Sequence, residues 1–186
     1  MARGEMDEAR ECFERAVDLD PISVRAHRLL GLVLYFARRF ASAEQWLQAA
    51  LVLDREPAET HYMLANLYMS QRRFAAALEL MERCETGSPD PLGLSVVGAC
   101  HAHLNRREKA LEIAAKLSRM AETSYVPLRA FARVHLALGN MDQTIEYLAR
   151  SLEERAFFVT FLKLDPEFDP LRGDPQFDEL VSRLGL

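Results

Sequence analysis

The stretch from Ala58 to Pro89 reads AETHYMLANLYMSQRRFAAALELMERCETGSP, and it decides the fold. His61, Leu64-Ala65 and Tyr68 recur at helical spacing and fit the first helix of a helix-turn-helix unit. Ala77 with Met81 four residues on, and the closing Pro89, fit the second helix. Small residues in this second-helix slot fall at Ala9, Ala43, Ala77, Ala110 and Thr144, in steps of 34, 34, 33 and 34. Self-similarity at a fixed period in this range marks a repeat array. Each small residue has a partner four residues on, namely Phe13, Leu47, Met81, Ala114 and Leu148. Such pairs let two helices approach and interlock.

First helices carry the matching signature at Leu30-Gly31, Leu64-Ala65, Val97-Gly98 and Phe131-Ala132. Turns within each unit fall at Arg38-Arg39, Gln71-Arg72-Arg73, Asn105-Arg106-Arg107 and Gly139-Asn140. Between units lie Asp20-Pro21, Glu56-Pro57, Ser88-Pro89-Asp90-Pro91 and Val126-Pro127, because proline tolerates a first helical turn and breaks a helix interior. Alternating apolar patterns are absent, so the chain is predicted to be all-α.

On these residues the chain resembles the tetratricopeptide repeat (TPR) family, from Gly4 to Arg155, as one partial and four full repeats. The family's usual tryptophan is replaced by His27, His61, Leu94 and Leu128, and Ala114 is small where a large residue is usual. The resemblance implies a right-handed α-solenoid of antiparallel helix pairs over residues 1–155 and a capping segment over 156–186. The first repeat lacks its first helix. Gly4 is expected in a turn, and the helix from Glu5 to Leu19 is expected to expose an apolar stripe of Phe13, Ala16 and Val17. That stripe predicts self-association as a homodimer through Phe13 and Val17, or an array whose beginning is cut.

Beyond Arg155 the sequence AFFVTFLKLDPEFDPLRGDPQFDELVSRLGL predicts a short buried helix over Phe157 to Leu164. It also predicts a last helix from Gln176 to Leu184 with Gly185 as its stop. Asp165-Pro166 and Asp174-Pro175 each set a capping acid before a proline. This tail resembles the one that closes TPR regions in bacterial multidomain proteins such as Ser/Thr kinases, winged-helix regulators and cyclase-type signalling proteins. The resemblance implies a regulatory module with a catalytic or DNA-binding domain upstream as the alternative to a free-standing scaffold.

Apolar residues make up 49% of the 186 positions and charged residues 27%, with a net charge of −5, which gives no support to general nucleic-acid binding. The N-terminal segment is charged and has no apolar core of a signal peptide, and no run of apolar residues is long enough to span a membrane. Three cysteines, Cys12, Cys84 and Cys100, have no framework spacing and are expected as buried thiols in a reducing, cytoplasmic compartment. Cys100, His101, His103 and His135 invite a metal reading, but His101 and His135 share one repeat slot, so packing is the expectation and no metal or cofactor is predicted. No catalytic motif is present, and no enzymatic activity is expected.

In TPR proteins the first helices line a concave groove. By register that groove holds Arg25, Arg28, Leu32 and Tyr35, then Tyr62, Asn66 and Met69, then Ser95, Ala99 and His103, then Arg129, Arg133 and Leu136. Arginines at both ends are expected to be open to acidic or carboxylate-ended peptide or protein partners. The family's chaperone-binding carboxylate clamp is not matched: Leu32, Ser95, Ala99 and Tyr62 break it in one frame or the other. The Arg38-Arg39, Arg72-Arg73 and Arg106-Arg107 pairs are expected along one edge as exposed turn residues.

Overall fold

The computed structural model describes residues 3–83 and 90–184. The Cys84 thiol, the Ser88-Pro89 turn and the Gly185 stop expected from the sequence lie outside those residues. Ten α-helices and two 3-10 helices are found, with no strand among the described residues. A lone α1 (Arg3–Leu19) precedes four antiparallel pairs: α2 (Val24–Phe36) with α3 (Phe40–Leu53), α4 (Ala58–Ser70) with α5 (Phe74–Glu82), α6 (Pro91–His103) with α7 (Arg107–Ala121), and α8 (Leu128–Leu138) with α9 (Met141–Glu153). Two 3-10 helices follow, Phe157–Phe161 and Pro166–Leu171, and then α10 (Pro175–Arg183).

Helix starts are set by short polar side chains. Ser23 accepts from the Ala26 amide at 3.3 Å, and Asp90, ahead of Pro91, accepts from the Gly93 amide at 2.8 Å. The turn inside each pair is one repeated device. Arg38, Arg72, Asn105 and Gly139 take positive φ of 62°, 59°, 59° and 80°. The next residue then donates back across the turn: Arg39 to the Leu34 carbonyl, Arg73 to Tyr68, Arg106 to His101 and Asn140 to His135, at 2.8 to 2.9 Å. Only at position 139 does the chain use glycine, the residue with no steric cost there.

The small second-helix slots do what their size allows. Ala43, Ala77, Ala110 and Thr144 are fully buried, and the Thr144 hydroxyl is satisfied by the Asn140 carbonyl at 2.9 Å. Glycine at 31 brings α2 onto α3, and a Cβ there would lie 2.7 Å from Leu47 Cγ. Gly98 does the same for α6, which packs on both α7 and α8.

Two expectations are corrected. Helix α1 runs through Gly4, with no turn there, and its apolar stripe is not open. Val17 is buried, and Phe13 and Ala16 are partly buried against the core formed by α2, α3 and α4, because α1 lies on α2 as each later second helix lies on the first helix of the next unit. Of the two residues expected to carry self-association, Val17 is thus covered and Phe13 is half-buried. The segment after Arg155 is also not a buried α-helix. It forms a 3-10 turn in which Phe157 is 79% exposed, and it crosses the concave face. Its Phe161 stacks on Phe36 of α2 with ring centroids 5.0 Å apart, at the opposite end of the array from α9. Further along, Leu162, Phe168 and Leu171 are buried with Leu148 of α9 and Phe177 and Leu180 of α10. Residues 157–171 therefore form a strap across the groove, and α10 lies on α9.

Candidate interaction site on the concave face

The strap brings three carboxylates to the groove at alternate positions, Asp165, Glu167 and Asp169. Arg129 of α8 donates to Asp165 Oδ2 at 2.7 Å and to Glu167 Oε2 at 2.5 Å. Arg133, 1% exposed, donates through Nε to Glu167 Oε1 and through Nη2 to Glu167 Oε2 at 3.1 Å. Its remaining N–H groups reach Tyr62 Oη and Ser95 Oγ at 3.1 Å and Asn66 Oδ1 at 2.8 Å. Arg38 grips Asp169 with two N–H groups, one at 2.7 Å from Oδ1, and Tyr35 donates to Asp165 Oδ1 at 2.8 Å. The strap is tied in this way to α2 and α8 at once.

Two guanidinium groups and two carboxylates balance in the buried centre. Burial alone raises the Glu167 carboxyl, but Arg133 and Arg129 outweigh it and hold it at about 2. Burial works against the Arg133 guanidinium, but the charge and hydrogen bond of Glu167 together with Tyr62 more than offset it, so it stays charged. Tyr35 is pushed well above the usual phenol range, first by burial and then by Asp165 and Glu167.

The structure thereby corrects the expectation of open groove arginines. Arg129 and Arg133 are saturated by the chain's own acids. Arg28 is paired with Glu59 at 2.6 Å and with Asp54 at 3.8 Å, and Arg25 is exposed. Ser95 and Ala99 are buried because α6 packs against α8. Tyr35, Tyr62 and Asn66 are drawn into the strap network. Sequence reading missed Arg38, Asp165, Glu167 and Asp169 as groove residues. The alternating acids in Asp165-Pro-Glu-Phe-Asp169 were the available signal.

The strap leaves a cleft on each side. One, of about 330 Å3, lies among Asn66, Met69, Arg72, Phe74, His103, Leu136 and Ala137, with Pro166 and Pro170 of the strap as its floor. There the His103 imidazole stacks on Phe74 at 4.2 Å, and burial, then the Arg72 charge, lowers its proton affinity. The other cleft, of about 380 Å3, is lined by Leu32, Phe36, Tyr62, Met63, Leu92 and the exposed Phe157. Both are lined mainly by apolar and aromatic groups with a few polar ones, as sites for peptides and small ligands are.

Among the described residues the histidines and cysteines do not converge. No group able to hold a metal ion is found among the described residues. His101 packs buried in α6, and His135 stacks on Tyr147 at 5.5 Å. Cys100 is buried, and burial pushes its thiol up to about 12, whereas Cys12 is exposed, contrary to expectation. No helix among the described residues is long and apolar enough to cross a membrane.

Comparison with known proteins matches this architecture. Two family models, both described as Tetratricopeptide repeat, match residues 1–59 and residues 58–90. Human Tetratricopeptide repeat protein 7B is 34% identical over 77 residues, which are 41% of this chain and only 9% of that protein. The crystal structure of PilW, titled a widely conserved type IV pilus biogenesis factor, superposes with a TM-score of 0.60 over 98% of this chain and 86% of that one. At 18% identity it is a likeness of fold. With its repeat slots filled as the sequence sets them, this chain carries tetratricopeptide repeats, matched over its first 90 residues.

Proposed function

We propose that the chain is a non-catalytic scaffold that binds a peptide or protein segment on its concave face. The observation that carries this reading is the open cleft between the first helices and the strap, where Met69, Phe74, Leu136 and Ala137 offer apolar contact beside Asn66 and His103. A chain segment fits on this face: the groove already holds one, the strap with its two 3-10 helices, by carboxylate contacts and buried apolar side chains. The match to a repeat family whose domains generally mediate protein–protein interaction supports it. No arrangement of nucleophile, base and oxyanion donors lies in either cleft, and His103 is spent on stacking.

Hydrogen exchange with and without a peptide recovered from a synthetic array is the test. Added protection is expected in α4, α6 and α8 at the cleft. Protection confined to the convex helices α3, α5, α7 and α9 would sink the reading.

A further inference from the structure

The turn slot occupied by Arg38 recurs at Arg72, 34 positions on, with the same positive φ. In a non-glycine residue this conformation is strained, and Gly139 in the same slot avoids the strain. The Arg38 side chain grips the Asp169 carboxylate of a segment lying on the concave face. At Arg72 the backbone is the same, and the guanidinium stands at the rim of the cleft, 5.9 Å from the Phe74 ring centroid and near enough to depress His103. Yet Arg72 has no carboxylate partner among the described residues. The cleft's own acids are engaged elsewhere, Asp169 by Arg38 and Arg172 and Glu167 by Arg129 and Arg133. Arg39 and Arg106 lie exposed on the same edge, so the rim is basic although the chain is acidic overall.

The strap itself is not the displaceable element. Its Leu162, Phe168 and Leu171 are buried with α9 and α10, and their burial holds the strap in place. An incoming segment would have to replace all of them.

Resting on the concave-face reading, we infer that the partner is an extended protein segment that sets an apolar side chain into the cleft among Met69, Phe74, Leu136 and Ala137, and a neighbouring carboxylate onto Arg72. The strap shows the same pairing of contacts in 3-10 form: Asp169 on Arg38 beside Phe168 in the core. Charge complementarity at an exposed rim acts mainly on specificity and association rate and is screened by salt.

An array of short synthetic peptides is probed with wild type, Arg72→Gly and Ala137→Gln, with a single-stranded oligonucleotide as a separate probe. Glycine suits the backbone at 72, so the first variant removes the cation without straining the fold, and circular dichroism verifies that. Glutamine at 137 fills the cleft without changing charge. Expected are retained peptides enriched in Asp or Glu within two residues of an apolar side chain, and loss of binding by Ala137→Gln. Arg72→Gly should weaken them by roughly tenfold, with the preference fading as salt rises. If Ala137→Gln loses binding while Arg72→Gly retains the same peptides equally well, the carboxylate contact is overturned and the concave-face reading stands. If Ala137→Gln also binds unchanged, both fall. Arg72-dependent retention of the oligonucleotide without enrichment of acidic peptides overturns the inference too.

Discussion

Glu167 is the residue on which the groove converges, since two arginines from one helix share its two oxygens. Its carboxyl is held at about 2, below the unfolded value of about 4.3. A depressed acid stabilises the fold above its unfolded pKa, and that stability is lost as pH falls through the folded one. The urea midpoint is therefore expected to be flat near neutrality and to fall between about pH 4.3 and pH 2. Asp169, lowered by Arg38 and Arg172 against the effect of burial, adds in the same direction. Glu167→Ala leaves two buried cations short of charge and should cost roughly 3–5 kcal/mol, with most of the acid sensitivity gone. An unchanged pH profile in that variant would show the dependence to lie elsewhere. The two slot arginines give a second comparison. Replacing either by glycine relieves backbone strain of about 1–2 kcal/mol and raises unfolded-state entropy by about 0.5–1 kcal/mol. Arg72→Gly should thus gain stability slightly. Arg38→Gly should gain less, because it also loses a half-exposed ion pair worth about 0.2–1 kcal/mol. Equal midpoints for the two variants would mean that the Arg38–Asp169 pair contributes nothing.

At the scale of the helices, the sequence was most legible where one residue's size decides a contact. Gly31, Gly98 and the buried alanines stand in the slots expected of them because no larger side chain fits between paired helices. A Cβ at position 98 would come within 2.7 Å of Ile113 Cγ2 and 3.1 Å of Val134 Cγ2. Both methyls sit on β-branched stems that cannot swing away. Gly98→Ala should therefore lose roughly 1–3 kcal/mol to overpacking, against a helix-propensity gain of about 1 kcal/mol. Thermal unfolding followed by circular dichroism checks it. A raised midpoint would show that α6 can part from α7 and α8 at no cost. The periodicity was less informative about which faces stay wet. Val17 is covered and Phe13 half-covered because α1 packs on α2 regardless of the missing helix. Arg129 and Arg133 were assigned to an open surface by a register that knows only the repeats. What covers them comes from a segment with no repeat in it.

Across the whole molecule that segment changes how the array holds together. A solenoid is coupled between neighbours only, so its ends open independently. Here the strap joins Tyr35 to Asp165, 130 positions away in sequence, and Phe36 to Phe161. It also shares a core with α9 and α10. The alternating acids of the strap hint at cationic partners but do not say which ones. Asp165 and Asp174 read correctly as caps, accepting from the Glu167 amide at 3.0 Å and the Gln176 amide at 2.9 Å. The same Asp165 carboxylate also takes its long-range partners Tyr35 and Arg129. Contacts between residues so far apart are set by the curvature of the finished array, which no window of sequence contains. The consequence is measurable. In wild type, slow amides of α2 and α8 should exchange with similar opening free energies, because the strap makes both ends part of one cooperative unit. Tyr35→Phe and Arg38→Gly combined with Phe161→Ala remove the hydrogen bond, the ion pair and the ring stack that tie the strap to the α2 end, and leave Arg129 and Arg133 with their carboxylates. In that variant α1 to α3 should open at lower free energy while α8 to α10 keep their protection. If both ends still open together, the coupling runs through the neighbouring helices and the strap is a passenger on the concave face.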